Sequence, residues 1–352
     1  MKFITVIVAF IVLGFPMGSN GQLPAQTVSS PTHEEILVQL EEEADPDRLF
    51  NRRSLSPLYQ ALSYQRNIYA LRVPAAQLPT WEEHLSNMKE VVGFQRNYDL
   101  HFRQVPSDPL WSRQWGLERI GAERVWDVSR GGETEAGDEI VVAILDDGFD
   151  IEHEDLQQNL WVNRGEIPGD GIDNDENGYI DDYRGWNFVN ASPDHPPTAH
   201  GTSVAGIVGA AGDNDRGIAG INWNVRLMLL TVADAGDVIQ AYDYAIDQKR
   251  RYLQSAGREG AFVVVTNLSA GIEELFCDQQ PVWRDMYDFM GSVGILSSTA
   301  TADINYNVDE VGDMPTTCPS NFLLAVLNSD RQDQKAGDSA YGTMSIDLAA
   351  PG

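Results

Sequence analysis

The sequence predicts an α/β protein, a parallel sheet carrying helices on both faces, preceded by a smaller α+β unit. Three observations carry this. From Asp108 onward, short apolar runs alternate with helical stretches at the spacing of strand–helix units. These runs are apolar at every position, as strands covered on both faces must be. Ahead of Asp108 lies a shorter stretch with its own strand and helix order, about the size of a marginal domain. At 352 residues, 42% of them hydrophobic, the chain can fill two such cores.

The elements follow in order. Met1-Lys2 precedes an apolar run from Phe3 to Phe15 and then Pro16 and small residues up to Gly21. A basic start, an apolar run too short to cross a bilayer and small residues at its end predict a signal peptide over residues 1–21. The protein is therefore expected to be secreted. Residues 22–33 are polar and proline-containing, a linker by composition. Over residues 34–105, strands are expected at Ile36–Leu40, Asn67–Val73, Val91–Phe94 and Tyr98–Phe102. Helices are expected from Pro46 to Phe50 and from a Thr80 N-cap to Lys89. The order β-α-β-α-β predicts a ferredoxin-like unit. Pro106 and Asp108-Pro109 then mark a turn, and residues 106–352 form the second domain. Its strands are expected at Ile140–Leu145, Val225–Leu230, Phe262–Thr266, Ile295–Ser298 and Phe322–Val326, with helices at Thr202–Ala211, Asp237–Gln254 and Pro281–Met290. Ligands of such sheets bind at the carboxyl ends of the strands.

Charge and cysteines narrow the partners. A formal net charge of −29 argues against nucleic acid or an anionic membrane surface. In an oxidising destination a Cys277–Cys318 disulfide is reasonable; spacing alone leaves two buried thiols as the alternative. The acidic run from Asp170 to Asp182 sets oxygen ligands at alternate positions, Asp173, Asp175 and Asn177, with Gly178 for a sharp turn. Closed by Asp181 or Asp182, it would hold structural calcium, although the distal bidentate Glu of the usual loop is missing. A solvated Asp/Asn turn is the alternative.

Two segments carry the chemistry. The run Val141–Leu145 delivers Asp146-Asp147-Gly148 to a strand end, an arrangement also found in magnesium-binding receiver domains. His200-Gly201-Thr202-Ser203-Val204-Ala205-Gly206 sets a histidine just before a helix that Thr202 can cap, with small residues for close packing. Together they resemble the Asp and His signatures of the subtilase family of serine peptidases, and the resemblance runs from Asp108 to Gly352. It implies a subtilisin-like parallel sheet and a serine endopeptidase acting on polypeptides.

In such an enzyme Asp146 orients His200, and His200 is the general base toward a serine hydroxyl. Asp147 would stand behind the pair, and His153 would be structural. Ser269-Ala270-Gly271 resembles the segment that pairs with the substrate backbone. Asp303 stands where the family has an oxyanion-stabilising Asn, with Asn305 as the substitute; an ionised carboxylate there would repel the developing charge. The first domain resembles an inhibitory, fold-assisting propeptide. Ala350-Pro351-Gly352 resembles the segment that precedes the family's nucleophile, so the serine is expected beyond Gly352, and Ser345 is a decoy. Residues 1–352 alone would then be inactive. A non-catalytic subtilase-like module binding calcium or peptide is the competing reading. A metal-dependent signalling domain would share Asp146-Asp147 and leave His200 and the export signal without a role.

Overall fold

The computed structural model describes residues 33–50, 58–98 and 105–352. The predicted signal peptide, nearly all of the linker and the end of the predicted 98–102 strand lie outside these residues; Tyr98 itself is not in a strand. The chain divides into two compact units between Phe102 and Arg103.

The first unit runs β1 (His33–Leu40), α1 (Pro46–Phe50), β2 (Leu58–Ser63), β3 (Ile68–Pro74), α2 (Leu78–Ser86) and β4 (Val91–Arg96). Its strands pair antiparallel in the order β2-β3-β1-β4, the split βαβ arrangement. Ile36, Val38 and Leu40 alternate onto one face of β1 and pack on Leu71, Val73, Trp81 and Leu85. Strand β2 was not expected: its alternate positions are Tyr59 and Ala61, a weak apolar signal that only pairing with β3 makes good. His33, placed in the linker by composition, belongs to β1. Helix α2 starts at Leu78, and Gln77, not Thr80, takes the N-cap. Pro79 sits in the first turn, where its missing N–H breaks no bond, and Thr80 is exposed within the helix.

The second unit continues with α3 (Trp115–Ile120), α4 (Ala122–Trp126), β5 (Val141–Asp146), β6 (Gly185–Asn187), α5 (Ala199–Gly209), β7 (Arg226–Thr231), α6 (Ala235–Ser255) and β8 (Val263–Leu268). It ends with β9 (Ile272–Glu273), α7 (Pro281–Ser292), β10 (Leu296–Ala300), α8 (Val308–Val311), β11 (Asp313–Met314), β12 (Leu323–Ser329) and β13 (Leu348–Pro351). Seven strands form one parallel sheet in the order β13-β12-β10-β8-β5-β7-β6. Pro351 is tolerated because β13 lies at the sheet edge.

Strand β5 is buried at all six positions, which explains its unbroken apolar run. Val141, Ala143 and Leu145 face α6 and α7, meeting Val238, Tyr242, Trp283 and Tyr287. Val142 and Ile144 face α5, meeting Val204, Ala205 and Val208. Strands after β5 first extend the sheet to one side (β7, β6) and then to the other (β8 onward). The reversal puts a crevice at the carboxyl ends of β5 and β8, where open α/β sheets bind ligands. Apart from this sheet, β9 and β11 form a short antiparallel ribbon that pairs Glu273 with Asp313 and Ile272 with Met314. The Cys277–Cys318 disulfide, with a Cα–Cα distance of 5.0 Å, ties the segments that follow its two strands.

Candidate active site

Asp146 closes β5 with a side chain only 3% exposed. Its Oδ1 lies 2.7 Å from His200 Nδ1 and accepts from the Asp147 backbone N–H at 2.9 Å. Burial pushes the Asp146 carboxyl up, and the bond to His200 opposes that push. The hydrogen bond to Asp146 raises His200 above the ordinary histidine range, against its own burial. A carboxylate that fixes Nδ1–H leaves Nε2 as the basic nitrogen, and the ring is 31% exposed. Asp147 is held low: burial works against its charge, but the Thr198 hydroxyl donates to it at 2.5 Å.

Local sequence explains how the histidine gets so close. Helix α5 begins at Ala199, three residues before the predicted start, and includes His200 in its first turn. Thr198, not Thr202, is the N-cap residue. Thr202 instead accepts from the Asp150 N–H at 2.9 Å and so pins the loop after β5. Gly201 makes the approach possible, since a Cβ there would stand 2.1 Å from the Gly148 carbonyl oxygen and 3.0 Å from Asp146 Cβ. His153 sits in the loop after β5, where its Nδ1 accepts from the Asp155 N–H at 3.3 Å, away from the pair.

Asp146 and His200 open on a cleft of about 770 Å³ that runs past Asn187, Val232 and Ser269–Gly271 to Trp283. Residues 269–271 leave β8 with Ala270 and Gly271 exposed. Among the described residues no backbone–backbone hydrogen bond uses them. Such an open edge can accept an added peptide strand. A second cavity of about 180 Å³ adjoins His200 on the other side of that edge, with Asp303 in its wall. Asn305 lines neither cavity and accepts from Lys335 Nζ at 3.1 Å. Ser345 is remote from the pair: its N–H, with those of Thr343 and Met344, donates to the Asp309 carboxylate.

The acidic loop folds around its own backbone. Asp173, Asp175 and Glu166 bring one oxygen each within 4.8 Å of one another. Glu166 was not foreseen, because it lies outside the alternating run. Its Oε1 accepts from the N–H groups of Asn174 and Asp175 and its Oε2 from that of Asp181. Asn177 donates to Asp175 and Asp182, and its Oδ1 accepts from the Tyr179 N–H. Asp181 accepts three backbone N–H groups, from Gly169, Asp170 and Gly171. Asp182 is fully buried and accepts from Asn163, Asn177 and the Tyr244 hydroxyl; burial pushes it up to about 6.

Comparison with known proteins points the same way. The chain is 28% identical over 247 residues to subtilisin-like protease 1 of Plasmodium berghei, covering 68% of this chain and 37% of that protein. It is 27% identical over 260 residues to thermitase of Thermoactinomyces vulgaris, covering 70% and 74%. A solved protease from Pseudoalteromonas arctica superposes with a TM-score of 0.52 at 25% identity, over 71% of this chain and 73% of that one. The chain thus spans less than two fifths of the Plasmodium relative's length. Residues 137–352 match the sequence profile of the subtilase family, and the chain belongs to that family.

Proposed function

We propose that this chain carries the Asp–His part of a secreted serine endopeptidase made as a precursor, whose nucleophilic serine follows Gly352. The observation that carries the reading is the Asp146–His200 bond at the mouth of a cleft with an open strand edge. In the proposed reaction a peptide pairs along Ser269–Gly271, which sets its carbonyl beside His200. His200 Nε2 takes the serine proton as the oxygen attacks, and then passes it to the leaving amine. Asp146 stabilises the imidazolium between the two steps. Asp303 is proposed at the oxyanion position, where its carboxylate lowers turnover. Asn305, the substitute considered from sequence, is turned to Lys335.

Calcium is proposed as a structural ion. Hard carboxylate oxygens from Glu166, Asp173 and Asp175 fit its chemistry, and their charges repel without a cation. Asn177 holds the loop beside them, while Asp181 and Asp182 brace it through their own hydrogen bonds. The first unit is proposed as the precursor's intramolecular inhibitor. A non-catalytic peptide-binding subtilase is the second reading, favoured by Asp303 alone.

The test uses the full-length protein, a quenched peptide substrate and a fluorophosphonate probe. Cleavage and serine labelling are expected in the wild type and lost in His200→Ala. Peptide binding with neither cleavage nor labelling would support the non-catalytic reading.

A further inference from the structure

Among the described residues, the smaller cavity beside His200 is lined by three carboxylates, those of Glu273, Asp303 and Asp313, and by no lysine or arginine. Asp313 is the deepest, at 2% exposure. Its Oδ2 accepts from the Ala302 N–H at 3.0 Å and the Thr316 hydroxyl at 2.8 Å, and among the described residues no hydrogen bond uses Oδ1. Glu273 is exposed and is the direct cross-strand partner of Asp313 in the β9–β11 ribbon. Like charges set opposite each other in a ladder destabilise it. Here the disulfide that follows both strands holds the ribbon closed.

We propose that this cavity receives a cationic side chain, lysine or arginine, from the substrate residue just before the scissile bond, with Asp313 at its base and Glu273 at its rim. The assignment rests on the peptidase reading. Position follows from the walls: Ser269–Gly271 supplies the edge for the substrate backbone, and His200 fixes which carbonyl is attacked. A volume of about 180 Å³ suits one long side chain. Sign follows from the charges: among the described residues that line the cavity, His200 alone can carry a positive charge. The distribution of those charges favours an extended organic cation over a metal ion. Oxygens of Glu273, Asp303 and Asp313 do not gather within 4.8 Å of one another, whereas those of Glu166, Asp173 and Asp175 do. Burial, with the fields of Glu273 and Asp303, pushes Asp313 up to about 6, and a bound cation would relieve that repulsion.

The experiment uses peptides identical except for arginine, lysine, norleucine or glutamate at this one position. Binding is measured by fluorescence anisotropy to the full-length protein carrying His200→Ala after an added protease has removed the first unit, which keeps the peptide intact and the cleft free of the proposed inhibitor; cleavage is measured with the unsubstituted protein. Arginine and lysine peptides are expected to bind about tenfold or more tighter than norleucine, with glutamate weakest. Asp313→Asn keeps an acceptor for Ala302 and Thr316 and should lower the arginine-to-norleucine ratio about tenfold. Glu273→Gln, on the exposed rim, should lower it less and serves if Asp313→Asn fails to fold. Equal binding of arginine and norleucine peptides, with both cleaved, overturns the pocket assignment and leaves the peptidase reading standing. Failure of every peptide to bind or be cleaved sinks both.

Discussion

Asp146 spends one oxygen on His200 and the Asp147 N–H, and its other oxygen, Oδ2, is buried without a hydrogen-bond partner among the described residues. A proton on His200 is therefore the compensation the buried carboxylate has at hand, which is why the histidine titrates high. General-base catalysis needs the neutral ring. kcat/KM should rise with pH only as the medium passes the raised His200 value, later than for an ordinary histidine. Asp146→Asn removes the cause, so the acid limb should move down in pH while kcat falls about 10⁴-fold. A pH–rate profile of both proteins checks the two effects together. Asp303→Asn should raise kcat by up to about 10²-fold, since one oxyanion donor is worth 10²–10³. Unchanged turnover would remove Asp303 from the oxyanion position. Asp146 was legible because it ends an unbroken apolar strand, and His200 because a run of small residues follows it. Glu273 and Asp313 were not: their strands are two residues long, and their meeting depends on chain return.

At the scale of elements, the sequence showed buried parallel strands well and edges poorly. The apolar run of β5 announces itself because both faces are covered. β6 has three residues, and β13 contains a proline, so neither forms a pattern until it meets its neighbour. The start of α5 was misplaced for a related reason. Gly201 and His200 are poor helix signals, and contact with the end of β5 overrides propensity. The acidic loop carries a prediction of its own. Calcium at a hundred times its Kd should stabilise the protein by about 2.7 kcal/mol, seen as a higher Tm that EDTA reverses. Glu166→Gln should reduce that response. A Tm indifferent to calcium in the wild type would sink the assignment.

For the whole molecule, the sequence indicated two units, and the structure separates them between Phe102 and Arg103. In the first unit the expected order of elements lacked β2, which pairs with β3 at the edge of the four-stranded sheet. If the first unit is an inhibitor made in the same chain, it should also act when added separately. Residues 34–105, supplied in trans to the matured enzyme, are expected to suppress peptide cleavage reversibly, measured as a concentration-dependent fall in initial rate. No suppression at saturating concentration would leave the unit only a folding role. The net charge of −29 contributes solubility at this scale and tells nothing of the pocket.

The Cys277–Cys318 bridge closes a covalent ring that contains α7, β10, α8 and β11. A backbone cut anywhere between its two cysteines opens the ring without releasing either end. If the chain acts as the proposed peptidase, it is exposed to such cuts among its own copies, and the bridge would keep the wall of the proposed pocket attached after the first. On gels, a chain nicked within residues 278–317 should migrate as one species until a reductant is added, and then as two.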